Sequence, residues 1–368
     1  MREEELKEIT KRDILKHYLS SILVYGIVLL ILFVSPLFNQ NIENPWTSYF
    51  AVLLVYYILY VIFAYPIFKK FRPQTILESR NVVIVNYFKR QFSKGRNIEQ
   101  KLFEMNLNEN EKQAFVILFI KTFFGVYSLN LLCNKFLPQM SYNFDFLSEM
   151  FSQSAQYIQT SGVLGGMMQF LDDTADMWLT FMFTISALIF AFSYLTEADF
   201  LKNRIKYADT TPLGILSCIM CFYPFTLITE RLFPVNMREL VPIEDLYLRI
   251  AVYIFAILVN FISMFAILRL GTRAGNLTNR GIVTGFPYNM VRHPDYAMQI
   301  CYVILTFVPL YAAGDLNILG DVVLTVGMIL WIGVYVLRAI TEERNLIKDD
   351  EYKKYCQKVK YRFIPKAY

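Results

Sequence analysis

Runs of about twenty apolar residues alternate with short polar stretches along most of the 368-residue chain. At 1.5 Å per residue, such a run matches a hydrocarbon core of ~30 Å. The pattern predicts eight membrane-spanning helices, at about 18–38, 48–68, 114–133, 177–195, 213–228, 248–268, 297–313 and 322–340. The expected fold class is therefore all-α, a polytopic integral membrane protein. The charged lead MREEELKEITKRDILKH reads as a short surface helix entering the membrane. Residues 71–112 mix apolar and basic positions and predict an amphipathic surface helix plus a loop on an anionic leaflet. Residues 134–175, polar and aromatic with glycines at 162, 165 and 166, predict a re-entrant piece, a surface piece or an extramembrane cap.

Composition agrees with that class. Hydrophobic residues make up 55% of the chain and the mean hydropathy is +0.37, above the ~45–50% apolar content of soluble domains. The first sixteen residues are highly charged and the next apolar run is a full span, so no cleavable leader is expected. The five cysteines, at 133, 218, 221, 301 and 356, show no framework spacing. Cys218 and Cys221 form a CxxC inside an apolar run, where free buried thiols are expected rather than a metal or redox pair.

Charge sets the expected orientation. The segments 1–17, 69–112, 197–210, 269–292 and 338–368 hold 31 of the 36 Lys and Arg residues. By the positive-inside rule these face the cytoplasm, with both termini. The membrane is then a bacterial inner membrane or the endoplasmic reticulum. Membrane lipids are the expected surroundings of these basic residues, and no nucleic-acid partner is expected. Lys121 lies inside the third span, within about two turns of its cytoplasmic end. An intramembrane lysine is a functional candidate, but snorkelling is the expected behaviour there. Asp172, Asp173 and Asp176 resemble a metal cluster, yet read better as a solvated run at a helix start.

The candidate chemistry lies in the last quarter of the chain. The stretch Ile282–Tyr296, IVTGFPYNMVRHPDY, separates two apolar runs and holds one of the two histidines, His293. An interfacial loop could carry the same residue types. At the end of the last span come Arg338 and Glu342, four residues apart and so on one helix face about 6 Å apart along the axis. A plain intrahelical ion pair is the simplest use of such a spacing. A tight turn between the last two spans would also bring His293, Tyr296, Arg338 and Glu342 into one interfacial pocket.

The IVTGFPYNMVRHPDY stretch, the R-x-x-x-E-E at 338–343 and the ending V-x-x-R-x-I-P resemble isoprenylcysteine carboxyl methyltransferases and related phospholipid methyltransferases. The resemblance covers about residues 270–368, and the chain divides accordingly. Residues 1–268 form a transmembrane region of about six spans, and 269–368 a two-span, methyltransferase-like hairpin module with a cytoplasmic tail. The resemblance implies an integral-membrane methyltransferase using S-adenosylmethionine on a lipophilic acceptor, either a prenylcysteine carboxylate or a lipid-like molecule. It implies that Arg280, Gly281, Ile282, Val283, Tyr288, His293, Pro294, Asp295, Tyr296 and Glu342 surround the cofactor. Arg338 would then bind or orient the acceptor, with Tyr355 and Arg362 as further candidates from the tail. The sequence departs from the pattern at Met298, where a small residue is usual, and at Gly285, one place early. No metal is implied.

Two other readings remain open. YCQKVKYRFIPKAY also resembles the C-terminus of membrane sterol reductases, which bind NADPH. Those carry RH-x-NY-x-GD, where this chain has RHPDYAMQ, and they lack the paired glutamates at 342 and 343. A non-enzymatic lipid-binding or transport protein that retains the hairpin is the third reading.

Overall fold

The computed structural model describes residues 8–35, 49–93, 107–232, 243–312 and 318–367. The described residues are nearly all helical, and among them six helices are long and apolar enough to cross a membrane. The first two are α1, Lys11–Val34, and α2, Tyr49–Phe71. They run antiparallel, tied by the Tyr18 hydroxyl to the Val61 carbonyl and the Tyr57 hydroxyl to the Ile22 carbonyl. The charged lead is not a separate helix where it is described. Thr10 and Asp13 cap each other's backbone and start α1 directly at Lys11.

The amphipathic segment contains α3, Arg80–Ser93, which packs between α1 and α4, Glu109–Leu131, and buries Asn81, Ile84 and Tyr87. Residues 94–106 of this segment lie outside the described residues. Through one π-helical turn at Leu132–Phe136, α4 continues into α5, Leu137–Leu195. Gly162 breaks α5 with φ 75° and ψ 174°, a backbone state open chiefly to glycine, and the chain reverses there. The two arms close in because Gly166 has no Cβ; one would press on the Ile158 backbone nitrogen and the Ser154 carbonyl. Phe151 on Phe170 and Phe136 on Phe183 continue the contact downward. Residues 134–175 are thus a helical hairpin that prolongs two of the long apolar helices.

The expected fifth crossing is not one helix. It comprises α6, Pro212–Ile219, and α7, Thr226–Leu232, separated by turns around Pro224, which has no N–H to continue a ladder. The chain then enters α8, Leu246–Leu270, which lies along the second arm of α5. Arg249 pairs with both oxygens of Asp172 at 2.8 Å. Asp173 accepts from Gln169 and Asp176 from Gln139. The aspartates are therefore mid-helix and individually partnered, not a run at a helix start. Among the described residues no group of three metal-ligating side chains occurs.

The last hairpin pairs α9, Pro294–Ala312, with α10, Ile318–Leu346, through Val303, Phe307, Leu324, Trp331 and Tyr335. The first turns of α9 carry Asp295 and Gln299, and α9 is not among the six helices that are long and apolar enough to cross a membrane. A short helix, α11, Asp350–Lys358, and a tail of bends and turns follow.

One end of the bundle gathers the loops rich in Lys and Arg. A two-residue ladder joins β1, Tyr207–Ala208, to β2, Thr278–Asn279. Asp349, at the start of α11, accepts from Lys206 at 2.7 Å and from Asn279 at 2.9 Å. Arg344 bonds Thr211 and pairs with Asp209. The segments 197–210, 269–292 and 338–362 therefore share a face.

Candidate functional site

The site forms where the start of α9 meets the end of α10. Pro294 opens α9 at a position that needs no backbone donor, and its first turn turns Tyr296 toward α10. The Tyr296 hydroxyl donates to Glu342 Oε2 at 2.8 Å. Arg338, one helical turn before Glu342, makes no ion pair with it or with any other carboxylate among the described residues. The plain Arg338–Glu342 ion pair is therefore not what the spacing builds.

Arg338 is buried inside an aromatic cage. Its guanidinium carbon lies 4.8 Å from the Tyr296 ring centre and 5.7 Å from those of Tyr335 and Phe222. Its Nη2 donates to Asn276 Oδ1 at 3.1 Å and to the Tyr296 hydroxyl at 3.5 Å, while its Nε is buried with no hydrogen-bond partner among the described residues. A buried, permanently charged group with an unused donor is costly unless something anionic or polar completes it. Glu342 is half-buried and, among the described residues, accepts one bond, from Tyr296. The two groups thus offer a cation and a carboxylate, side by side and each incompletely used. Cys218 and Cys221 are free thiols beside the guanidinium.

His293 is placed differently. Its ring stacks on Tyr296 with 4° between the planes, and its Nε2 lies 3.1 Å from Glu343 Oε1. Glu343 also accepts from Arg292 Nε at 2.8 Å and from Arg362 Nη2 at 2.8 Å. The backbone repeats the tie: Arg292 N–H donates to the Tyr361 carbonyl and His293 N–H to the Arg362 carbonyl. One carboxylate thus knots the RHP stretch, α10 and the tail. Glu343 and Arg362 belong to this knot, and His293 joins it to the cage.

Of the other expected contacts, Tyr288 is buried near Asp295 and Glu342. Burial first, then these two carboxylates, push its phenol well above the ordinary range, so it stays protonated. Its carbonyl takes the Tyr355 hydroxyl at 2.6 Å. Asp295 accepts from Ser263 on α8. Ile282 and Val283 pack on Ala266, Tyr352 and Tyr355. Gly281 turns the chain at φ 96°. Arg280 lies apart, beyond Tyr194. It bonds the Ser193 carbonyl at 2.7 Å, stacks 5.6 Å from the Tyr194 ring, and burial lowers its pKa.

Asn276, Ser263, Phe222 and Tyr335 are site residues that the sequence did not single out. Phe222 and Tyr335 look like any aromatic of a span, and Asn276 is one polar residue in a polar loop. Compared with known proteins, the chain matches no family model, and no curated protein or solved structure is similar to it.

Proposed function

We propose that the chain is an integral-membrane methyltransferase using S-adenosylmethionine and a lipophilic acceptor. The observation that carries this reading is the pair formed by Arg338 and Glu342, one turn apart, neither neutralising the other, on the hairpin that bears RHPDY.

The residues fit the cofactor in kind. The spare acceptor capacity of Glu342 suits an amino group or ribose hydroxyls, and the protonated Tyr288 adds a donor nearby. His293 acts as a positioning residue, since its Nε2 faces Glu343 and its ring backs Tyr296. When bound, S-adenosylmethionine supplies an electrophilic methyl group on a sulfonium. This chain's residues would hold the acceptor in line with that methyl and keep water out. Arg338 suits an acceptor carboxylate through its unused Nε and its planar fork. Its aromatic cage supplies the dry surroundings in which such a contact is strong. The Lys/Arg-rich face that holds the site is then the cytoplasmic one, with both termini on it.

The test is transfer of a labelled methyl group from S-adenosylmethionine to a membrane-lipid extract by the full-length protein. Label in the organic phase supports the reading. Its absence, together with oxidation of NADPH by the protein in the presence of the same extract, would favour a reductase.

A further inference from the structure

The methyltransferase reading leaves the N-terminal helices without a task, and they enclose a cavity of about 260 Å³. The wall from α1 carries His17, Tyr25, Val28, Leu29 and Leu32. From His17 to Leu32 is about 22 Å of helix, so the cavity is long and narrow. Its two ends differ in chemistry. Leu29 and Leu32 of α1, Leu53 of α2, and Val126 of α4 close one end without a polar group. Tyrosines 56, 57 and 60 of α2 line the middle.

The other end is charged. Lys121 Nζ lies 3.2 Å from Glu197 Oε2, and Arg80 Nη1 lies 3.0 Å from Glu197 Oε1. Lys121 thus has a carboxylate partner in the loop after α5. Arg204 pairs with Glu78 on the same rim. Three cations therefore face two carboxylates. Lys121 has three donors, and Glu197 takes one. The polar neighbours Asn81, Ser79 and His17 are mostly engaged with one another and with Ser21. Tyr194 separates this cavity from the Arg338 cage. It lines the cavity, and its hydroxyl accepts the Asn276 N–H on the far side.

We propose that this cavity is a second binding site, for a single-chain amphiphile with an anionic head. The chain lies along α1 and the head meets Lys121 and Arg80. The volume falls below the ~300–1,000 Å³ of pockets for drug-sized ligands, which suits one slender chain and not a two-chain lipid. The excess positive charge at the rim selects an anion over a cation.

The test uses the full-length protein in phosphatidylcholine nanodiscs and a palmitate analogue with a photoactivatable group near the end of its chain. Peptide mapping should place the label on the cavity-facing residues of α1, α2 and α4, and palmitate should compete while hexadecyltrimethylammonium does not. Lys121→Ala should weaken competition by palmitate about tenfold or more, the loss of one charge-assisted contact, and Lys121→Arg should largely restore it. Val28→Trp, which fills the apolar end and leaves every charge in place, should block labelling in protein that elutes and melts like the parent. Equal competition by the ammonium compound, label confined to the outward faces around Leu30 and Ile62, or labelling unchanged by Val28→Trp would each overturn the proposal.

Discussion

The Tyr296 hydroxyl donates to Glu342 at 2.8 Å, and through this bond the first turn of α9 is fastened to the last turns of α10. The same ring lies 4.8 Å from the Arg338 guanidinium, so one tyrosine takes Glu342 by its hydroxyl and Arg338 by its face. This keeps two opposite charges, one turn apart, from closing on each other. Tyr296→Phe should release that constraint. We predict that the variant folds, loses about 0.5–1.5 kcal/mol in thermal unfolding, and binds the cofactor more weakly. Unchanged stability and binding would remove the hydroxyl from the account.

Arg338→Lys separates charge from shape. The lysine keeps the positive charge but cannot stack on three rings or present a planar fork. Methyl transfer should fall by about 10²-fold, the scale of a reactant displaced from its in-line position. Binding of S-adenosylhomocysteine should change little. An equal loss of both would place Arg338 against the cofactor and not the acceptor.

Glu343→Gln addresses the knot. Arg292, Arg362 and His293 share this carboxylate, and the tail is held to the RHP stretch largely by that tie. Removing the charge should cost about 1.5–3 kcal/mol. Limited proteolysis should then cut near Tyr361–Ile364 faster than in the parent. A tail equally protected in the variant would show that the backbone bonds suffice.

Acid stability should depend on Glu197. Burial alone would raise its carboxyl, yet Lys121, Arg80 and the Ile205 N–H lower it from 4.5 to about 2. A folded-state pKa below the unfolded one contributes stability that is complete above pH ~4.5 and is lost as pH falls toward ~2. Melting temperature in a non-ionic detergent should therefore drop more steeply across that window in the parent than in Glu197→Gln. Parallel curves would contradict the assigned pairing.

The membrane class and six of the helices were legible because a period-free apolar run of twenty residues has few other uses. The convergence of His293, Tyr296, Arg338 and Glu342 was also legible, since a short connection between two antiparallel helices leaves their ends little choice. Partners were not legible. Nothing near Lys121 in the sequence shows that the fold brings Glu197, which is 76 residues away, to within 3.2 Å of it. Arg338 and Glu342 read as an ion pair until Tyr296 intervenes. The break at Pro224 inside an apolar stretch was visible as a proline, but its consequence depended on the turns that follow Ile219. The hairpin around Gly162 required knowing that Gly166 meets the opposite backbone, a fact of packing that no local pattern carries.

The most direct measurement is cofactor binding by the purified full-length protein in detergent, with S-adenosylhomocysteine and NADPH compared by calorimetry on the parent and on Glu342→Gln. The account predicts that the parent binds S-adenosylhomocysteine and not NADPH, and that Glu342→Gln weakens this binding while melting near the parent temperature. Binding of NADPH alone, or binding of S-adenosylhomocysteine indifferent to Glu342, would contradict it.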